Sequence, residues 1–540
     1  MKIDSAIIKT ISIRKLYDEE MDSLLLPSIQ RDFVWDIEQI KDLVESIINN
    51  YPIGSIILWK TNEKIPSSKL FDNINNRENN LKERNYIIDG QQRLTSLVLI
   101  KNNFYIKREG RDISLEKLYY IPENNSFAIG RKKGIDLSLI VNATLGDPDA
   151  LENIKSKFPK DYKNVVKNIG AKILNYEIPF YYIETYSDKN ESVYESIANI
   201  FTKVNSAGTK IGNLEIFLSF FAASFPNKQK NKIIEFHDEM SKNYLLDLEP
   251  IIRFIFAELG LSQYQITRVK NFKSAINTLK EQYAKNLSEL DKELNKCFIS
   301  VKNVMNFLKE DLGFSSTKYL PSQNMLVPLF DYVYRNNRKN LTQFERKQME
   351  NWFLLGSFHG LYSGSPTNKL MDDLKIIKES KSSFPYKLLK ENIKNAINVD
   401  KIRKKDLDKG IKEDSFRKNN YIMLLFAILY KNNATNWAGE IINFENVTVH
   451  HIFPKDYLIE NGIDDSDKIN SLSNLTFIQK DINSKIGNTP PSEYLKQYDS
   501  KVLSTHLIPL DQDLWKSENY DKFIKERGKL IWNAIKKFEF

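Results

Sequence analysis

At 540 residues the chain has room for roughly two to four domains, and 41% hydrophobic with 28% charged residues is the balance of an ordinary globular protein. Its one cysteine, Cys297, excludes internal disulfides and paired-cysteine zinc ribbons; no run of about 18 apolar residues offers a membrane span, and the charge-interrupted N-terminus is no signal peptide, so a cytoplasmic location is expected. Lys and Arg total 79 against 70 Asp and Glu, a net charge of +9, which favours a polyanion partner but is equally what a chain rich in Lys, Asn and Ile produces.

Residues 1–130 read as short strands mixed with helices. "LPSIQRDFVWD" places Gln30, Arg31 and Asp32 in a loop, and Ile40, Leu43, Val44, Ile47 and Ile48 then recur at helical spacing. Asn49-Asn50-Tyr51-Pro52 stops that helix, "IGSIILW" reads as a buried strand, and "NYIID" as a second one ending at Asp89. "LTSLVLIKN" reads as the helix that follows. From about 190 to 395 the helical period dominates, in 191–205, 250–261 and 289–312, with a glycine turn and a helix start in "NSAGTKIGNLEI" at 205–216. The charged stretch 398–420 reads as a solvated connector. Beyond it come an apolar helix, "YIMLLFAILY", a strand-like "VTVHHIF", a polar loop, "LSNLTFI" and "QKDINSKIGN".

Two of only five histidines, His450 and His451, are adjacent in the strand-like run just before a proline. Neighbouring strand residues point to opposite faces, so one imidazole can face a metal while the other addresses a second target. With Asn474 and Asn483 following in order, the arrangement resembles the HNH, or ββα-metal, nuclease motif. The resemblance implies that His450 binds the metal and His451 is the general base. Asn474 would hold the loop and Asn483, where a His is commoner, would complete the metal site; Asn470 or Asn488 are alternative ligands. Histidine titrates near neutrality, so it can take a proton from water, and a divalent ion stabilises charge on the leaving oxygen. One imidazole and one amide oxygen without cysteine suit Mg²⁺ or Mn²⁺ rather than structural Zn²⁺. The bland alternative is a chance pair, one ring buried and one exposed.

"IIDGQQRLTSL" ends a strand with more polar residues than a turn needs. Asp89-Gly90 supplies the turn, Gln91 and Gln92 offer amides, and Arg93 offers a planar fork suited to phosphate. The helix behind it would favour an anion at its N-terminus. By residue type alone, a phosphate site and a structural network, with Arg93 paired to Asp89 and the glutamines capping backbone, stand level. No Gly-rich Walker loop with lysine is present. The remaining histidines, His237, His359 and His506, read as surface or packing residues, and Trp35, Trp59, Trp352 and Trp437 as core.

In order along the chain, "PSIQRDFVWD", "YPIGSIILW", "IIDGQQRLTSL", "IFTKVNSAGTKIGNLEI" and "WFLLGSFHGLYSGS", with the HNH-like segment, resemble the single-chain GmrSD type of modification-dependent (type IV) restriction protein. That resemblance implies a predominantly helical α+β protein: a ParB/sulfiredoxin-like α/β domain over 1–190, a helical region over 191–395, and an HNH nuclease domain over 396–540. It implies a nucleoside triphosphate (GTP, ATP or another) bound and hydrolysed at Asp89, Gly90, Gln91, Gln92, Arg93 and Thr95, with Gln30, Arg31 and Asn205, and also Gly208, lining the pocket. The partner implied is double-stranded DNA, as modified phage DNA, in an anti-phage defence role without a membrane; a homodimer is compatible with it. The rival is a nucleotide-switched DNA-binding regulator with a degenerate HNH domain.

Overall fold

The computed structural model describes residues 5–27, 33–62, 67–72, 83–108, 110–130, 134–184, 212–225, 227–336, 341–380, 383–407 and 418–540. Gln30, Arg31, Asn205, Gly208 and the helix expected over 191–205 lie outside the described residues. The protein is α+β and mostly helical. It divides into two compact units, Met1–Lys230 with Thr267–Lys280, and Asn231–Ile266 with Glu281–Phe540. No helix among the described residues is long and apolar enough to cross a membrane.

The first unit is built on β1 (Ser5–Ser12), β2 (Leu24–Pro27), β3 (Ile56–Thr61), β4 (Ser67–Lys69), β5 (Arg84–Asp89) and β11 (Glu177–Glu184). They form one sheet in the order β1-β11-β3-β5-β2-β4, in which β11–β3 and β5–β2 are parallel and the other pairs antiparallel. The intervening strands β6 to β10, between Tyr105 and Asp136, make two small antiparallel sheets. β5 is interior to the large sheet, and Tyr86, Ile87 and Ile88 are all buried, which is why it reads as an unbroken apolar run rather than an alternation. The helix Ile37–Ile48 buries Ile40, Leu43, Val44 and Ile47, and a capping box between Asp36 and Gln39 starts it.

β5 passes into the helix Gln91–Lys101 through Gly90 alone. The glutamines and Arg93 are therefore the first turn of that helix, three residues earlier than the apolar pattern places its start. The helix is buried from Leu94 to Ile100, so its sequence carries no amphipathic mark of where it begins. Gly90 sits at φ +95, and a Cβ there would lie 2.2 Å from Ile56 Cδ1.

The second unit packs long helices, among them Leu287–Leu312, which buries Cys297, and the apolar Lys418–Lys431. Within the stretch 398–420, Lys404–Leu407 is a short helix. At the C-terminal end β12 (Thr448–His451) pairs antiparallel with β13 (Leu475–Ile478), setting His450 opposite Thr476 and His451 opposite Leu475. Phe477 of β13 meets Phe426 of the helix Lys418–Lys431 edge-on, with ring centroids 5.0 Å apart. The helix Lys480–Ile486 follows β13 directly. Between the strands, the stretch read as a polar loop folds into the helices Lys455–Glu460 and Ser466–Ile469, the second capped by Asp465 on the N–H groups of Asp467 and Lys468.

Gly90→Ala is expected to destabilise the first unit by at least about 1–2 kcal/mol, the left-handed penalty before the clash with Ile56 is counted. Thermal denaturation of the two proteins side by side checks this, and an unchanged melting temperature would show that the β5 exit tolerates a side chain.

Candidate functional site

β12 brings His450 and His451 to its C-terminal end, and the helix after β13 brings Asn483 back to them. His450 is 3% exposed. Its Nδ1 lies 2.7 Å from Asn483 Oδ1 and its Nε2 3.2 Å from the hydroxyl of Tyr494. Burial lowers the His450 pKa to about 4, so the ring is neutral at pH 7. His451 is half-buried and its Nε2 lies 3.0 Å from Asn470 Oδ1. Of the alternative ligands, Asn470 thus meets His451, whereas Asn488 bonds Glu460. Lys480 and Lys485 are exposed on the helix that carries Asn483. Among the described residues, no cluster of three or more His, Cys, Asp or Glu side chains could hold a metal ion.

Asn474 is fully buried and fixes the chain just past the histidines. Its Oδ1 accepts from Phe453 N at 2.8 Å, and its Nδ2 donates to Phe453 O at 3.1 Å and Ile469 O at 2.9 Å. Its backbone oxygen accepts from Ile452 N at 2.7 Å. All of its polar groups are spent on backbone, so it shapes the loop and does not face a ligand.

Three further residues support this floor. His506 is fully buried, donates from Nε2 to Thr435 O at 2.6 Å and accepts at Nδ1 from the Thr476 hydroxyl at 2.6 Å. Burial lowers its pKa to about 3. Arg527, also fully buried, donates to Ser473 O at 2.7 Å and His506 O at 3.1 Å, and burial lowers its pKa to about 9. Trp437 adopts φ +68, a left-handed backbone that strains a bulky residue, and its ring lies 6.0 Å from His450 and 5.7 Å from His506. The sequence marks Arg527 faintly, as a cation between Phe523 and Ile531 on an apolar helical stripe. It offers no comparable mark for Tyr494.

At the other motif, Asp89, Gly90, Gln91, Gln92 and Arg93 lie together where β5 enters its helix. Arg93 donates to Ile53 O at 2.8 Å and to Asp89 at 3.1 Å, and lies directly under Gly54, where a Cβ would come within 2.4 Å of it. Gln92 Oε1 accepts from the backbone N–H groups of Val34 at 3.0 Å and Trp35 at 3.3 Å. Thr95 is fully buried and accepts from Arg108 at 2.8 Å. The structural network is therefore present: arginine and glutamine bind the loops before and after the helix Ile37–Ile48 to the end of β5. Two of its groups keep unused capacity. The Asp89 carboxylate is 47% exposed, and Gln91 Nε2 is buried with no hydrogen-bond partner among the described residues.

The N-terminal domain model of the GmrSD restriction endonucleases matches residues 13–222, and their C-terminal domain model matches residues 399–533, together more than half of the chain. An uncharacterised protein of Methanocaldococcus jannaschii is 24% identical in an alignment covering 97% of this chain and 97% of its own length.

His450 and His506 stay neutral when folded, whereas an unfolded histidine takes a proton near pH 6.5. Their contribution to stability is complete above about pH 6.5 and is lost as pH falls through that value toward about 4 for His450 and about 3 for His506. Melting curves between pH 7.5 and 4.5 should show this fall in the second unit. His506→Gln should flatten the slope; an identical slope would contradict the assignment.

Proposed function

The chain belongs to the GmrSD restriction endonuclease family, which makes it a restriction endonuclease with DNA as its substrate, and we propose that it is a metal-dependent nuclease of HNH type that restricts modified phage DNA. The observation that carries this reading is the convergence of His450 Nδ1 and Asn483 Oδ1 at 2.7 Å, with His451 next along the strand. Donors cis to one another on an octahedral ion at about 2.1 Å lie about 3 Å apart, so the pair fits one divalent cation after a small opening. Both donors are uncharged. The grip on the ion is therefore weak, and water and the DNA phosphate complete its shell, as suits Mg²⁺ or Mn²⁺. When bound, the ion offsets the charge that develops on the phosphate and the leaving oxygen.

His451 acts as the base. Asn470 Oδ1 can only accept, which keeps the proton on Nε2 and leaves the lone pair of Nδ1 to take a proton from the attacking water. Asn474 holds the backbone under both histidines, and Lys480 and Lys485 offer charge to the DNA backbone.

The N-terminal motif binds and hydrolyses a nucleoside triphosphate, GTP, ATP or another, in this reading. Asp89 is the group that faces it, a half-exposed carboxylate to orient metal or water, and the buried amide of Gln91, with a donor unspent among the described residues, would have to turn outward to reach a phosphate oxygen. Arg93 and Gln92 act through the loops they hold. The rival, a nucleotide-switched DNA-binding regulator with a degenerate nuclease site, draws support from Asn483 and from the near-complete burial of His450.

Two substitutions separate the readings. His451→Ala is expected to reduce metal-dependent nicking of modified plasmid DNA by about 10²–10⁴-fold while sparing nucleotide turnover. Arg93→Ala is expected to lower turnover and restriction and to leave the C-terminal melting transition unchanged. Undiminished nicking by His451→Ala would remove the nuclease assignment, and wild-type protein that neither binds nor turns over any nucleotide would remove the N-terminal one.

A further inference from the structure

We infer that Tyr494 is a positioning residue that fixes which nitrogen of His450 carries the proton, so that Nδ1 is the nitrogen presented with Asn483 to a divalent cation. The inference rests on the nuclease reading of the His450–Asn483 pair and names a residue that the motif does not contain.

Tyr494 is 2% exposed, and its hydroxyl lies 2.6 Å from Ile452 O and 3.2 Å from His450 Nε2. A backbone carbonyl only accepts, so the single phenolic proton goes to Ile452. The hydroxyl oxygen then meets Nε2 as an acceptor, and the ring proton is drawn onto Nε2. A neutral imidazole has one N–H, so Nδ1 keeps its lone pair. That is the form a metal needs, and a partner on the far ring nitrogen is the usual means of holding it.

The phenol itself is held firmly. Ile452 O cannot drift, because the same residue's N–H is tied to Asn474 O at 2.7 Å. The rings of Trp437 and His450 flank the Tyr494 ring at 6.1 and 5.9 Å.

The consequence reaches Asn483. With Nδ1 bare, the amide oxygen 2.7 Å away faces a second lone pair. Those two atoms are stable at that distance when a cation lies between them. Without one, a half-turn of the amide places its NH₂ on Nδ1. Asn483 therefore serves both states, closing on His450 as a donor when no ion is bound and turning its oxygen inward when one is. A carboxylate at this position could not make the first of those contacts.

The test uses the full-length chain with ¹⁵N-labelled histidine and needs no catalysis. Long-range ¹H–¹⁵N correlation spectra without metal should show His450 with a protonated Nε2 and a bare Nδ1. Tyr494→Phe should lose that single form, and its Mn²⁺ affinity, read from the electron paramagnetic resonance of free Mn²⁺, should fall by about 10- to 100-fold. Tyr498→Phe, which alters a neighbouring ring, should change neither. A wild-type spectrum with the proton on Nδ1, or unchanged Mn²⁺ affinity in Tyr494→Phe, overturns the inference. His450→Ala and Asn483→Ala locate the failure: if they weaken Mn²⁺ binding and Tyr494→Phe does not, only the role of Tyr494 falls. If they leave it unchanged, the metal site falls with it.

Discussion

The C-terminal site depends on one buried amide. Asn474 takes the N–H and the carbonyl of Phe453 into its side chain and ties Ile452 N to its own carbonyl. Those bonds fix the chain where β12 ends, and β12 ends on the two histidines. A strand end left to itself frays, and the proposed metal role of His450 would tolerate only about half an ångström of freedom there. The polar residues around it repeat the same logic. Arg527 and His506 are buried, and the bonds they donate among the described residues go to backbone carbonyls, a use of hydrogen bonds that builds shape rather than charge.

A similar economy operates in the first unit, with a different result. Gln92 gathers the N–H groups of Val34 and Trp35, and Arg93 gathers Ile53 O and Asp89. Val34 and Trp35 of "FVWD", Ile53 of "YPIG" and the "DGQQR" turn therefore meet at one place. Gly54 and Gly90 both take the left-handed backbone that favours glycine, at φ +83 and +95, and leave room for Arg93 and Ile56 to lie close against them. The hub joins three segments, and of its polar groups the Asp89 carboxylate is half-exposed while Gln91 is buried. Its bonds reach the chain on both sides of the helix Ile37–Ile48, Gln92 holding Val34 and Trp35 before it and Arg93 holding Ile53 after it.

What was legible in the sequence follows from how local each signal is. The helix Ile37–Ile48 and the strands β3 and β5 could be read because periodicity and the stops at Asn49 and Gly90 lie within a few residues of the elements themselves. His450, Asn474 and Asn483 could be read because their residue types recur in a motif order. The start of the helix at Gln91 was hidden, because a helix buried on all sides has no stripe. The two short helices between β12 and β13 were hidden too, since they are only six and four residues long and leave little room for a periodic stripe. Tyr494 lies 44 residues from His450 in the chain and meets it only in three dimensions. The even balance at "DGQQR" could not be settled from residue types, because Arg93 bonds a carbonyl 40 residues away as readily as it would bond a phosphate.

The central claim is that His450 and Asn483 hold the ion that cuts DNA. Anomalous scattering from crystals of the full chain soaked in Mn²⁺ tests it most directly. The account predicts one peak about 2.0–2.3 Å from both His450 Nδ1 and Asn483 Oδ1. Clear density for both side chains with no peak between them, or a peak held by other residues, would contradict it.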